Sequence, residues 1–438
     1  NILRTPFPVV TRKLGRTSRN IFFISIADVF GRLVLLFVFV GFARTYGQEV
    51  FGQFSFAFNL ATIINILPDM GINTFIVREV AKKRGGVENG LGTLVLIKTG
   101  LSLLYLIVIP ALCYLFQTDF YTFLMVSGFA FFVAADSMNQ FMRNLFRAHE
   151  KMEHEMVSRV LERGLLLGTS ALLFYLRAEP WLVCLAFAVY GIILLPINWQ
   201  IVSHRYKGLS FGRLKKGILP LLRPIIPFAL VSVVFTVYFK VDVLMLERMK
   251  GFADVGTYSA AYRLYEGLFF IPNAIYGSLY PVFSRLHAAE NSGITGVLKQ
   301  GLFLSMIAGM VIGGLVIAIR EPIISILYGP QFIESSQVLA ILSAALPFTF
   351  GTFLLVHYQA ARDRTGVNAI LGIVFLCLNV LLNFISIPRW SYKGAAAATL
   401  FTEVLLFVSI LLLASFGAAK PPAVIPPNPA KQTFKDIS

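Results

Sequence analysis

The sequence predicts an all-α integral membrane protein of about twelve transmembrane helices, arranged as two homologous six-helix lobes around a central cavity. Three observations lead there: a surplus of apolar residues, a series of apolar segments as long as a bilayer is thick, and a repeat between the two halves. Of 438 residues, 57% are hydrophobic, 41 are Phe and only 14% are charged, against roughly a quarter charged in soluble domains. A soluble chain needs polar residues to coat its cores, so the surplus here must face lipid. The net charge of +16 does not read as nucleic-acid binding, because Lys and Arg fall in short clusters between apolar runs and not on one compact face. Cys113, Cys184 and Cys377 lie inside those runs without metal-binding spacing and are expected to be packing residues. No metal or other cofactor is expected.

A helix crosses about 30 Å of hydrocarbon with about 20 residues. Twelve such segments follow one another: 20–43, 51–77, 91–116, 119–146, 156–176, 180–203, 217–246, 255–286, 297–319, 334–361, 367–387 and 394–417. The first is too long for a cleavable signal and lacks a small-residue cleavage site, so it is expected to stay as span 1. The fifth is the weakest, since Arg159, Glu162 and Arg163 occupy its first turns; they are expected at the water interface. Strand-like alternation with period two is absent, which excludes an outer-membrane barrel.

With the amino terminus inside, the inner segments hold 27 of the 38 Lys and Arg, the outer loops seven, and the spans themselves four. This bias predicts a multi-pass protein of the cytoplasmic membrane with both termini in the cytoplasm. The expected organisation is an N-terminal lobe over 1–207, a basic linker at 208–216 that is either plain or an interfacial helix, a C-terminal lobe over 217–419, and a Pro-rich cytoplasmic tail at 420–438.

The repeat is the most specific signal. At an offset of 204 residues, the stretch from Arg44 to Pro68 aligns without gaps with Arg248 to Pro272, and seven of 25 positions are identical: Arg44/Arg248, Gly47/Gly251, Gly52/Gly256, Ser55/Ser259, Ala57/Ala261, Leu60/Leu264 and Pro68/Pro272. Each half has an even number of spans, so the copies enter from the same side and are related by an axis along the membrane normal, an architecture of transporters. Gly47 and Gly251 are expected to make tight outer turns. Pro68 and Pro272 interrupt the second span of each lobe at matching depth, as hinges or as packing kinks.

The segments V-D-V-L-M-L from Val241, V-G-T-Y-S-A-A-Y-R-L from Val255 and I-P-N-A-I-Y-G-S-L-Y-P-V-F-S-R-L from Ile271 carry a family resemblance. So do F-G-Q-F-S-F-A-F from Phe51 and D-M-G-I from Asp69 in the first lobe. On these the chain resembles the Wzx-type polysaccharide and O-antigen flippases of the multidrug/oligosaccharidyl-lipid/polysaccharide exporter superfamily. The resemblance implies a transporter, not an enzyme. It would move undecaprenyl-diphosphate-linked oligosaccharide from the inner to the outer leaflet for O-antigen, capsule or exopolysaccharide synthesis, among membrane lipids and beside the glycan polymerase and ligase of the same pathway. A multidrug/cation antiporter of the same superfamily is the main rival, and lipid II flippases usually have fourteen spans. A membrane glycan polymerase would carry a large outer loop with Arg and His, which is lacking here. No Walker A motif occurs, so an ion gradient, H+ or Na+, or the substrate's own gradient is the expected drive.

Charged residues at span depth are costly unless they face water or a partner, which makes each a functional candidate. Arg32, Lys98, Lys240 and Arg263 are the candidate cations for the substrate's diphosphate and sugar end, Arg above all for its planar fork. Lys98 would meet the headgroup first or snorkel to the inner interface. Asp28, Asp136, Asp242, Glu266 and Glu403 are the candidate ion-coupling carboxylates. The spacings of Asp28 with Arg32 and of Arg263 with Glu266 also allow simple mutual neutralisation.

Overall fold

The computed structural model describes residues 7–73, 76, 91–148, 152–205, 233–288, 293–362 and 364–416, and no strand occurs among them. In the first lobe, α1 (Phe7–Ile63) carries spans 1 and 2 as one rod bent at Gly47, and α2 (Ile66–Asp69) continues span 2. Spans 3 to 6 are α3 (Leu91–Leu115), α4 (Phe120–Ala148), α5 (Met152–Tyr175) and α6 (Pro180–Arg205). In the second lobe, span 7 is described as a turn of helix over 233–238 followed by α7 (Val241–Lys250), and span 8 as α8 (Phe252–Gly267) and α9 (Phe270–Ala288). Span 9 is α10 (Gly293–Ala318). The expected outer loop beyond it is instead largely helical, with α11 (Arg320–Leu327) and a 3-10 turn, Pro330–Phe332. Span 10 is α12 (Ser335–Ala361), and spans 11 and 12 form α13 (Thr365–Phe416), bent at Ser391. The linker at 208–216 and the tail at 420–438 lie outside the described residues.

Among the described residues, seven helical stretches are long and apolar enough to cross a membrane. Spans 5 and 8 are not among them, because charges or helix breaks interrupt their apolar runs, and span 7 lies largely outside the described residues; residues of all three line the cavity described below. The large apolar side chains of Ile107, Phe303, Val311 and Phe384 stand exposed, the surface that lipid covers. Cys113 and Cys184 are buried, but Cys377 is exposed; its position on the outward face of span 11 corrects the expectation that all three are packing residues.

The repeat reappears in the backbone. Gly47 (φ 84, ψ −179) and Gly251 (φ 89, ψ −178) adopt the same conformation, one that side-chain-bearing residues rarely enter. One residue therefore turns the chain between two spans, the tight turn expected of both glycines. The prolines act alike. A proline cannot donate to the carbonyl four residues back, and here those carbonyls belong to Ile64 and Leu268, each at a helix break. Both accept a tighter bond instead, from Leu67 N–H at 2.9 Å and Ile271 N–H at 3.1 Å.

The first lobe packs around an aromatic core in which Phe39, Phe54, Phe58, Phe129 and Phe187 meet edge to face at 5.0–6.4 Å, each pair contributing about 0.5–1.5 kcal/mol beyond its buried area. Within lobes, spans approach closely at glycines, as at Gly128 against Cys184 and Gly309 against Pro347, the usual solution in lipid.

Candidate functional site

The lobes touch along the half of the bundle that carries the Gly47 and Gly251 turns. Gln48 Nε2 donates to Ala253 O at 3.0 Å and to Thr257 Oγ1 at 2.5 Å. Phe51 packs on Tyr328 and Phe332. The Arg44 guanidinium donates to Leu327 O at 2.7 Å and to Ile326 O, the last carbonyls of α11, where a cation satisfies unpaired acceptors. At the centre of this seam, a Cβ on Gly52 would strike the Phe252 carbonyl and one on Gly256 the Gln48 carbonyl. These are repeat-equivalent glycines meeting across the axis that relates the lobes.

Below that seam the lobes part around a cavity of about 790 Å³, lined by spans 1, 2, 4, 5, 7 and 8. It lies in the half that holds the N-terminal part of span 1 and the C-terminal end of span 4. Six basic residues (Arg32, Arg143, Arg159, Arg163, Lys240, Arg263) and four acidic ones (Asp28, Asp136, Glu162, Glu266) line it, a basic excess of two.

Each of these acids has a basic partner. Arg143 donates to Asp136 at 2.7 Å and to Glu162 at 2.6 Å, with Gln140 also on Asp136 at 2.7 Å. Arg159 bonds Asp28 and reaches Glu155 at 2.9 Å, and Arg163 stands 3.6 Å from Glu162. Arg263 donates to Glu266 at 3.0 Å. Asp28 therefore pairs with Arg159 of span 5 and not with Arg32, which corrects the i, i+4 expectation; the Arg263–Glu266 pair forms as its spacing allowed. The placement of Arg159, Glu162 and Arg163 at the water interface is likewise corrected. Glu162 is 2% exposed because its partners, not bulk water, compensate its charge.

No described carboxylate pairs with Arg32 or Lys240, one from each lobe. Lys240 occupies the break ahead of α7, where Nζ donates to Asn59 Oδ1 of the other lobe at 3.2 Å and lies 5.3 Å from the Phe58 ring centre.

Lys98 does not reach the cavity, nor does it snorkel. It is 0% exposed, its ammonium held by Asp69 at 3.2 Å and Pro68 O at 3.1 Å, with Ser137 Oγ on the same carbonyl at 3.1 Å. The short helix broken around Pro68 ends in carbonyls without intrahelical partners, and Lys98 closes that end.

Asp242 and Glu403 are also off the cavity, buried inside the second lobe with no basic partner among the described residues. Asp242 accepts from Asn383 Nδ2 at 2.6 Å and from the hydroxyls of Tyr258 and Thr399 at 2.8 Å each. Asn383 Oδ1 is buried without a hydrogen-bond partner. One turn further along span 12, Glu403 accepts from Tyr238 at 2.9 Å and Thr349 at 3.0 Å.

Arg143 and Glu155 do not stand out in the sequence. Their seven- and four-residue spacings to Asp136 and Arg159 put each pair on one helix face, a signal legible only once span 5 is known to enter the protein.

Two lobes of six helices, joined on one side and parted on the other around a charged cavity, define a two-lobe membrane transporter. Residues 17–287 match the family described as polysaccharide biosynthesis protein, and 227–385 match the MatE family. The chain belongs to the polysaccharide biosynthesis protein family, as a flippase of the multidrug/oligosaccharidyl-lipid/polysaccharide superfamily. It is 23% identical over 401 residues to the probable low-salt glycan biosynthesis flippase Agl15 of Haloferax volcanii, a match covering 88% of this chain and 80% of that one. It is 25% identical over 186 residues to the capsular polysaccharide biosynthesis protein CapF of Staphylococcus aureus, covering 42% of this chain and about half, 47%, of that one. Two solved structures share the fold. An inward-facing multidrug resistance MATE transporter has a TM-score of 0.73 at 13% identity, covering 91% of this chain and 98% of that one. The lipid II flippase MurJ in an inward closed conformation has a TM-score of 0.67 at 17% identity, covering 90% and 87%.

The glycine contact makes a prediction. In a chain whose three cysteines are replaced by alanine, with Thr257→Cys as reporter, Gly52→Val should raise labelling of the buried reporter by a membrane-impermeant maleimide several-fold. Unchanged labelling would show that the seam tolerates the added side chain and does not depend on this contact.

Proposed function

We propose that this protein carries a lipid-linked oligosaccharide, joined to its lipid through a diphosphate, from the inner to the outer leaflet of the cytoplasmic membrane. The lobes rock between a cavity open to the cytoplasm and one open outside. The observation that carries this reading is the cavity's basic excess of two, with Arg32 and Lys240, neither of them in an ion pair with a described carboxylate, facing it from opposite lobes. A diphosphate diester brings two negative charges, which these cations match, and Arg supplies a fork of donors for its oxygens. An exporter of cationic drugs would need the opposite balance. The Lys and Arg bias of the loops supports both termini, and with them the open end of the cavity, on the cytoplasmic side. Arg143, Arg159 and Arg163 leave the inner-loop count for the cavity, and the remaining bias keeps its sign.

Coupling falls to Asp242 and Glu403, the two candidate carboxylates without a basic partner among the described residues. Asp242, with the unpartnered Asn383 Oδ1 beside it, offers oxygens to a proton or to a hard cation such as Na+. Asp28, Asp136 and Glu266 are engaged with Arg159, Arg143 and Arg263. Glycan polymerase and ligase would act on the delivered substrate.

The test is deletion of the gene in its host, followed by assay of the leaflet in which lipid-linked oligosaccharide accumulates. Cytoplasmic build-up, reversed by the wild-type chain, is expected; normal surface glycan with new drug sensitivity would replace this reading by the antiporter. Asp242→Asn should lose the dependence of transport on pH or sodium, and an unchanged dependence would remove Asp242 from the coupling.

A further inference from the structure

The Arg263 guanidinium of the second lobe lies in the angle between two rings of the first. Its central carbon is 4.0 Å from the Phe39 ring centre and 4.6 Å from that of Phe58. The rings are perpendicular, with centres 5.4 Å apart, and Phe58 is braced in turn by Phe129 at 5.2 Å. Lys240 shares the Phe58 ring. An arginine stacked on rings through its face keeps its N–H edge available. Glu266 takes one of those donors, and the cavity adjoins the others.

We infer that Phe39 and Phe58 are positioning residues, an aromatic seat that holds Arg263 and Lys240 ready for a prenyl diphosphate only while the lobes are closed over the outer seam. The inference rests on the diphosphate reading above and adds a direction to it. The rings belong to spans 1 and 2 and the cations to spans 8 and 7, so the site exists only where the lobes meet. When the lobes part on the outer side, the rings leave with the first lobe, the cations lose their orientation and their partly desolvated surroundings, and the affinity for the anion falls. The substrate is thus gripped on the loading side and loosened on the delivery side by the same two rings.

The test uses the full-length protein in detergent with farnesyl diphosphate as ligand and farnesol as its uncharged counterpart. Phe58→Leu and Phe39→Leu should each weaken farnesyl diphosphate binding about fivefold while leaving farnesol binding unchanged, and Phe58→Tyr should bind as wild type does. A loss shared equally by farnesol would mark a packing defect and overturn the proposal. In a Gly52→Val background, affinity should already be low and Phe58→Leu should add nothing; a full further fivefold loss would overturn the state dependence. Replacing Arg32 and Lys240 together by alanine separates this idea from its foundation. If that variant binds farnesyl diphosphate as tightly as wild type, the diphosphate reading falls and the seat with it. If it weakens binding while both leucine variants do not, the seat alone falls.

Discussion

Replacing Arg32 and Lys240 together by alanine is expected to abolish delivery of lipid-linked oligosaccharide, leaving it on the cytoplasmic leaflet of cells that lack the native gene. Either replacement alone should cost roughly ten- to a hundredfold, since a hydrogen bond to a charged group contributes about 1.5–3 kcal/mol. The pair matters more than the sum of its members. With both gone, the six basic and four acidic lining groups become four of each, every acid already has its partner, and no excess charge remains to replace the water stripped from a diphosphate. Arg32→Lys keeps the charge without the fork and should fall between wild type and Arg32→Ala. Normal transport by the double alanine variant, at matched expression, would sink the assignment. The remaining ion pairs would then have to open for the substrate, and the charge count would no longer explain recognition.

Arg143→Met should be the most destabilising single change in the first lobe. Arg143 is 5% exposed and is the bond between two carboxylates on different spans, Asp136 and Glu162. Removing it leaves the partly buried Asp136 without its arginine and the buried Glu162 with only the longer Arg163 contact at 3.6 Å, and losing one partner of a buried pair costs about 3–5 kcal/mol. Thermal unfolding in detergent should show a marked fall in midpoint. The cause is electrostatic, so it should be reversible: adding Asp136→Asn and Glu162→Gln to Arg143→Met should recover most of the loss, because neutral amides can share hydrogen bonds where carboxylates cannot. A triple variant as unstable as the single one would show that Arg143 acts through packing.

The architecture was legible because lipid imposes a simple rule. Apolar runs near 20 residues must be helices, and a 204-residue offset that aligns Gly47 with Gly251 and Pro68 with Pro272 must mark equivalent places in two copies. What the sequence hid is pairing. Lys98 reads as a cation free to meet a headgroup, and only the break around Pro68 reveals the carbonyls it closes. Asp28 and Arg32 invite pairing along one helix, yet the partner of Asp28 is Arg159, 131 residues away. Span 5 looked half outside the membrane because charge was weighed without its compensation. The Arg263 seat was equally invisible, since Phe is so common in spans that no one ring stands out until its distance to a guanidinium is known.

The contact between Gly52 and Gly256 has a consequence for the chain's history. Where two copies of one segment touch on their own symmetry axis, each backbone is the surface against which the other is fitted. An inserted residue between Gly47 and Gly52 would rotate one rod by about 100° and turn a side chain toward the place where the partner's carbonyl sits. Only a matching insertion in the other half would restore the fit. Duplication thus left this stretch locked in step: elsewhere the two halves are free to diverge, but here each must keep the other's spacing.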